Sequence, residues 1–191
     1  MDYEEIVYKR RTIRRFKQKP VSIEILKKLV DFARIAPAAR NVQALEFIIV
    51  KNDEMCKKLF SLLKWARSLP KNERTPESGR EPTAYIIVLL NTKIKQSYVD
   101  YDIGAAVENI LLGAINFSLG ACWMGSINHN KIRTLLDIPD FYKITHVISL
   151  GYPDEKSVIE PFKESFKYWK DDDGRMHVPK RALDDIIFKI Y

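Results

Sequence analysis

The sequence predicts an α+β fold built around one buried helix, and three observations carry that expectation. Residues 102–127, DIGAAVENILLGAINFSLGACWMGSI, open with a helical stretch in which Ile103, Val107, Ile110, Leu111, Ile115 and Phe117 leave almost no polar face. Such a helix must be buried on nearly every side, and its small residues, Gly104, Ala105, Ala106, Gly113 and Ala114, let other backbones come close. Helix and strand patterns mix along the chain without a βαβ rhythm, which favours a sheet sandwiched by helices over a doubly wound parallel sheet. Finally, 191 residues with 46% apolar content suffice for one domain with a substantial core.

Asp2-Tyr3-Glu4-Glu5 has the form of a capping box and opens a short helix through Val7-Tyr8. A basic stretch follows, anchored by Ile13 and Phe16 and broken at Pro20. Ser22 caps an amphipathic helix with Leu26, Leu29, Val30 and Ala33 on one stripe, ending before Pro37. Residues 37–43 form a loop of small and amide residues leading into a strand, Leu45–Val50. Asp53 is expected to cap the next helix, with Leu59, Leu62, Leu63 and Ala66 as its stripe. Residues 67–83 read as a mobile polar loop and a candidate lid. Residues 84–90 form a buried strand, and Asp102 caps the central helix. That helix turns at Leu119-Gly120 into a short apolar piece ending Trp123-Met124-Gly125-Ser126, a place to present backbone N–H groups to a ligand or simply part of the core. A short helix over 131–136 stops at Pro139, and a strand over 145–150 closes with Gly151-Tyr152-Pro153. Residues 154–179 are polar with aromatic islands (Phe162, Phe166, Tyr168, Trp169) and should drape over the surface before a last apolar segment, 183–190.

The chain carries 32 basic and 25 acidic residues, a net charge of +7. Residues 9–19, KRRTIRRFKQK, hold seven of the basic residues and no acid, and without them the two signs balance. The excess is therefore a local anion-seeking feature. A phosphate-bearing ligand, nucleic acid and a merely solvated segment compete to explain it, and the absence of further basic surface to extend a track counts against nucleic acid. No apolar run reaches the roughly 18 residues of a membrane span, and the charged N-terminus is not a secretory signal. Cys56 and Cys122 make neither a disulfide framework nor a metal-ligand spacing. The expected location is the cytoplasm.

Gly120 and Gly125 have the spacing of a phosphate-binding loop, but Ser126 stands where the phosphate-neutralising lysine is required. No G-x-G-x-x-G follows a strand, His129, His146 and His177 lie far apart without an H-E-x-x-H pattern, and no G-x-S-x-G nucleophile elbow is present. No metal ligands and no self-sufficient catalytic side chain emerge, so an enzyme built on this sequence would rely on a cofactor.

Four separate pieces resemble one family in order and spacing. They are Arg10-Arg11-Thr12-x-Arg14; Ala36-Pro37-x-x-x-Asn41-x-Gln43; the 102–126 unit; and Ile148-x-Leu150-Gly151-Tyr152-Pro153 followed by Lys180-Arg181-x-Leu183. Together they resemble the FMN-dependent nitroreductase family over essentially the whole chain. The resemblance implies a mixed or antiparallel sheet sandwiched by helices around the central helix, in a single domain over residues 1–191. It implies bound FMN, with Arg10, Arg11 and Thr12 near the phosphate and ribityl chain and Lys180 and Arg181 closing from the C-terminal side. Arg14 matches a basic position at the flavin N1/C2 edge, Asn41 and Gln43 suit the pyrimidine edge, and Pro37 and Ala38 contribute backbone. Met124 and Gly125 correspond to the strand end facing N5 and O4.

By the same resemblance, NAD(P)H would deliver hydride and then give way to an oxidant such as a quinone or nitroaromatic, in a homodimer holding FMN at its interface. Runner-up readings are a flavin-binding protein without turnover, and other chemistries of the family: reductive dehalogenation, flavin fragmentation, or oxidation of a peptide-derived substrate. The sequence departs from the family pattern at Ala38, where serine is common, at Ala44-Leu45, where Pro-Trp is common, and at Met124, where some relatives carry glutamate. These departures blur the substrate more than the cofactor.

Overall fold

A computed structural model describes residues 1–95 and 97–191. Its main sheet is built on β3 (Ala84–Asn91) and β5 (Tyr142–Pro153), which pair antiparallel. β2 (Leu45–Val50) flanks β3, while β4 (Gly120–Met124) and the short β1 (Phe16–Lys17) pair with the other side of β5, all antiparallel. The sequence AYIIVLL of β3 is nearly all apolar because both faces of the sheet are covered. Ala84, Ile86 and Val88 enter one core cluster, whereas Tyr85, Ile87 and Leu89 enter the other, the period-two alternation of a strand with two dry faces. Each fully buried isoleucine contributes about 1.5–3 kcal/mol.

α2 (Ile23–Arg34) and α5 (Val99–Asn116) cover the first face through Leu26, Leu29, Ile103, Val107 and Ile110. α3 (Asp53–Phe60) and α6 (His129–Leu135) cover the second through Cys56, Leu59 and Ile132. The expected α+β sandwich around a central helix is thus present. α2 approaches α5 at Gly113, where a Cβ would sit 2.5 Å from the Phe32 ring. The polar groups on this apolar helix find partners: Asn109 Nδ2 donates to the Phe32 carbonyl at 2.9 Å, and Glu108 meets Arg10.

The basic segment is seated on paired glycines. α1 (Tyr3–Lys9) is capped by Asp2, whose carboxylate accepts from the Glu5 N–H at 2.8 Å. The chain then runs along β4, with the Ile13 N–H donating to the Ala121 carbonyl at 2.9 Å. Gly120 and Gly151 are cross-strand partners. A Cβ on Gly120 would lie 2.7 Å from that of Ile13, and one on Gly151 would lie 2.9 Å from the Phe16 ring. Ile13 and Phe16 therefore do anchor the segment.

Arg15, 2% exposed, is tied from two directions. Its Nε and Nη2 donate to the two Glu77 oxygens at 2.7 Å each, and its Nη1 lies 3.5 Å from Glu155 Oε2. Arg80 extends the network to Asp154 at 2.6 Å. Burial opposes the Arg15 charge, but Glu77 and Glu155 outweigh it and hold the guanidinium above its ordinary range. Glu77 in turn is lowered to about 2 by the Arg15 hydrogen bonds, against a smaller effect of burial.

Several expectations need correction. Residues 67–83 are not a free lid: they contain a helical turn, α4 (Lys71–Arg74), bury Leu69 and are moored through Glu77 and Arg80. Asp102 does not cap α5, which starts a turn earlier; it is a buried residue within the helix. Asn52, rather than Asp53, caps α3 by accepting from the Met55 N–H at 3.0 Å, and the helix ends at Phe60, short of Leu62, Leu63 and Ala66. Asn128 caps α6, which begins before residue 131. Residues 154–179 do not merely drape: β6 (Ser157–Pro161), β7 (Trp169–Lys170) and β8 (Met176–Lys180) form a small sheet in the order β6-β8-β7. His177 of β8 lies 3.1 Å from Glu160 of β6 and 3.0 Å from Asp171, just past the end of β7. The apolar segment after β8 is exposed, with Phe188 and Tyr191 fully so.

Two outcomes follow from this packing. Gly120→Ala should displace Ile13 and lower stability by about 1–3 kcal/mol in urea denaturation, the usual range for overpacking. Because the folded-state value of Glu77 is depressed from 4.5 to about 2, its stabilisation is present above pH 4.5 and is lost as pH falls towards 2. Glu77→Gln should flatten the dependence of Tm on pH within that window, and an unaltered slope would show that the ion pair does not form in solution.

Candidate functional site

The extended run 10–14 crosses from the end of α1 to the outer edge of β4. Arg10 caps α1 through its own N–H, which donates to the Ile6 carbonyl at 2.9 Å, and its Nε lies 3.4 Å from Glu108 on α5. Arg11 donates from Nη2 to the Tyr8 carbonyl at 2.5 Å. Burial, and then the neighbouring charge of Arg10, push its guanidinium below the ordinary value. Thr12 bridges to Ala121 in parallel fashion. The Arg14 N–H donates to Glu155 Oε1 at 2.5 Å, while its guanidinium sits 4.9 Å over the Tyr168 ring. Crowded cations with few carboxylates in reach are the donor set of an anion site.

β4 leads from this segment to Met124 and Gly125. Alternate residues of a strand turn their N–H and C=O groups to opposite edges. Ala121 uses its outward carbonyl for Ile13, so Trp123, two residues on, turns its peptide groups to the same outer edge. Met124 pairs with Val147 of β5, and its side chain is buried in the second core cluster. Gly125 is exposed, and a Cβ there would lie 3.3 Å from the His146 ring.

The loop with the amide residues attaches elsewhere on α5. The Ala39 N–H donates to Asp102 Oδ1 at 2.9 Å. Arg40, Asn41 and Gln43 all have positive φ (54°, 55° and 53°), a left-handed conformation that costs non-glycine residues on the order of 1 kcal/mol or more and gathers at functional sites. Gln43 Nε2 donates to the Asn41 carbonyl at 3.2 Å. Pro37, Ala38 and Gln43 line a cavity of about 380 Å³, with Arg34, Asp102 and Ala106 on its other walls. Asp102 and Glu108, the two anchor points on α5, are separated by about 9 Å of helix axis. One chain thus presents two groups of candidate residues at two stations of its central helix.

Lys180 ends β8, its carbonyl accepting from the Phe162 N–H at 2.7 Å; Arg181 follows, bonded to the Asp185 carbonyl, and both are exposed. The small sheet that carries them reaches the N-terminal segment through Tyr168 and Arg14. Sequence reasoning missed Arg15, Glu155 and the inward role of Asp102. The only signal for Glu108 was its polarity on an apolar helix. Both thiols are free and buried, and burial pushes Cys56 up to about 11 and raises Cys122 as well.

Comparison with known proteins gives this geometry a context. The model of the nitroreductase family matches residues 7–152. An inferred NADH dehydrogenase/NAD(P)H nitroreductase of Archaeoglobus fulgidus is 34% identical over 164 residues, covering 82% of this chain and 88% of its own. An FMN-dependent nitroreductase of Clostridium difficile superposes with a TM-score of 0.64 at 25% identity, over 83% of this chain and 91% of that one. An inferred nitroreductase of Desulfovibrio desulfuricans, crystallised with FMN, has a TM-score of 0.68 at 24% identity, over 98% of this chain and 96% of that one, a likeness of fold. The crossing of the N-terminal arginine run over β4 and the family match over the same stretch lead to one conclusion: the chain belongs to the nitroreductase family.

Proposed function

We propose that residues 1–191 form one FMN-binding domain of an oxidoreductase that passes hydride from NAD(P)H to a small oxidant such as a nitroaromatic or a quinone. The observation that carries this reading is the run along the outer edge of β4 that bears Arg10, Arg11 and Arg14, with the charge of Arg10 acting on Arg11. The residues fit the cofactor. A phosphate of about −1.5 to −2 charge would relieve the repulsion between Arg10 and Arg11, and Thr12 adds a hydroxyl donor. The left-handed loop holds the Asn41 and Gln43 amides, which both donate and accept, as a flavin pyrimidine edge requires. Arg14 supplies positive charge at that edge, Met124 and Gly125 supply the strand end, Pro37 and Ala38 supply backbone, and Lys180 and Arg181 close the phosphate side. FMN held there supplies hydride transfer through N5. The side chains bind, orient and exclude water, and the two substrates take turns in one place.

A homodimer would join the two groups of residues that one chain presents separately, the loop 37–43 of one protomer facing the arginine run of the other. Exposed apolar side chains support that assembly: Tyr3 and Tyr8 on α1, Tyr98 and Tyr101 at the start of α5, and Trp123 on β4. Leu183, Ile186, Phe188 and Ile190 extend the apolar surface along the C-terminal arm, well beyond the scattered exposure usual for a monomer.

Purified protein should be yellow, release FMN on denaturation, and bleach anaerobically with about one equivalent of NADH or NADPH; bound flavin that no nicotinamide reduces would indicate a binding protein without turnover. In the Arg10→Ala/Arg14→Ala variant, FMN affinity should fall by roughly a hundredfold, since charge-assisted hydrogen bonds contribute about 1.5–3 kcal/mol each. A fully yellow double variant would sink the site assignment. Removal of residues 183–191 should weaken the dimer by about tenfold or more in analytical ultracentrifugation, the scale expected on losing buried aromatic anchors. A chain that sediments identically with and without the arm would remove the arm from the interface.

A further inference from the structure

In an extended chain consecutive side chains leave on opposite sides, and the neighbours Arg14 and Arg15 differ accordingly: Arg14 is half-buried and Arg15 is 2% exposed. Both are arginines, and the segment itself carries nothing that decides between them. The asymmetry comes from across the sheet. Pro153 pairs with Phe16, and the Asp154 N–H donates to the Arg15 carbonyl at 2.9 Å, which brings the next residue, Glu155, under the junction. Its side chain is 2% exposed. One carboxylate oxygen accepts from the Arg14 N–H at 2.5 Å, and the other lies 3.5 Å from Arg15 Nη1.

We propose that Glu155 is a positioning residue for Arg14: by holding the backbone of residue 14 and the side chain of residue 15 together, it fixes which arginine faces outward to Tyr168 and the anion site. A slip of one residue would exchange the two side chains, sending Arg14 towards Glu77 and turning Arg15 out. Glu155 is the group that touches both residues and so opposes that exchange. Asp154 cannot take its place, since its carboxylate is engaged with Arg80 at 2.6 Å. This inference rests on the reading of Arg14 as part of the FMN site.

The test is FMN affinity, read by quenching of flavin fluorescence, in Arg14→Ala, Glu155→Ala and the double variant, with Tm recorded for each. Arg14→Ala and Glu155→Ala should each weaken FMN by on the order of tenfold, the scale of a hydrogen bond to a charged group. The double variant should bind no more weakly than Arg14→Ala alone, because Glu155 acts only through Arg14. Glu155→Gln, whose amide oxygen still accepts from the Arg14 N–H, should restore most of the affinity even as Tm falls.

Additive losses in the double variant, or wild-type affinity in Glu155→Ala beside a weakened Arg14→Ala, would overturn the proposal. Wild-type affinity in Arg14→Ala would instead overturn the underlying site reading, a separate outcome. Should Glu155→Ala not fold, Glu155→Asp serves: one methylene shorter, it keeps a charge facing Arg15 but withdraws from the Arg14 N–H. FMN binding unchanged in Glu155→Asp would overturn the proposal, and a loss matching Arg14→Ala at retained Tm would support it.

Discussion

The structure depends most on one buried guanidinium. Arg15 is removed from water and held by Glu77 and Glu155, and a buried charge must be paired or it is expelled. Such pairs contribute little net stability, because desolvation offsets most of the attraction. Their effect is on which arrangement forms. Three stretches far apart in sequence, the N-terminal run, the 67–83 loop and the turn after β5, meet at this one side chain. Glu155, one of its two partners, also holds the backbone of Arg14.

Magnitudes explain why the remaining arginines stay available to a ligand. Arg10 and Glu108 form a pair at 3.4 Å whose side chains are 26% and 47% exposed. Partly exposed pairs of this kind contribute about 0–1 kcal/mol, less than the roughly 1.5–3 kcal/mol of a charge-assisted bond to a phosphate oxygen. A phosphate placed as proposed would therefore win Arg10 from Glu108. Arg15, itself buried and engaged with two carboxylates, is held far more firmly. Of the four arginines in the basic run, Arg15 is a structural cation, and the proposed reading gives Arg10, Arg11 and Arg14 to the cofactor.

Local chemistry was legible in the sequence and long-range choice was not. The Ser22 cap and stripe of α2, the strand Leu45–Val50 and the buried α5 all follow from periodicity and capping. Asn52 and Asp53 are both good caps, and only the backbone angles at the junction select Asn52. β1 and β7 are two residues each, too short for any pattern, and exist because register brings them beside longer strands. The basic run announced an anion site, but nothing local distinguishes Arg14 from Arg15, whose partners lie 62 and 140 residues away. Asn41 and Gln43 were visible as amides, yet their left-handed backbone was not, since no glycine marks it. The contribution of Asp102 was hidden in the same way. A carboxylate at the head of an apolar helix reads as a cap, whereas here it holds the Ala39 N–H and shapes the strained loop.

Strain and charge crowding are held at two stations of one helix, and in the proposed dimer they would together link binding to folding. The loop holds three non-glycine residues in left-handed conformations, and Arg11 is buried beside Arg10; both arrangements are unfavourable without a ligand. Asp102 and Glu108 anchor them to a helix that also supplies Ile103, Val107 and Ile110 to the core, so relaxation of either is coupled to the packing of α5. A ligand that neutralises the arginines and engages the amides removes part of that cost only in the folded chain, and so stabilises the folded chain by mass action. The central helix thus has two duties that reinforce each other. It fills the core, and through Asp102 and Glu108 it holds the strained loop and the arginine run that the proposed reading assigns to the cofactor.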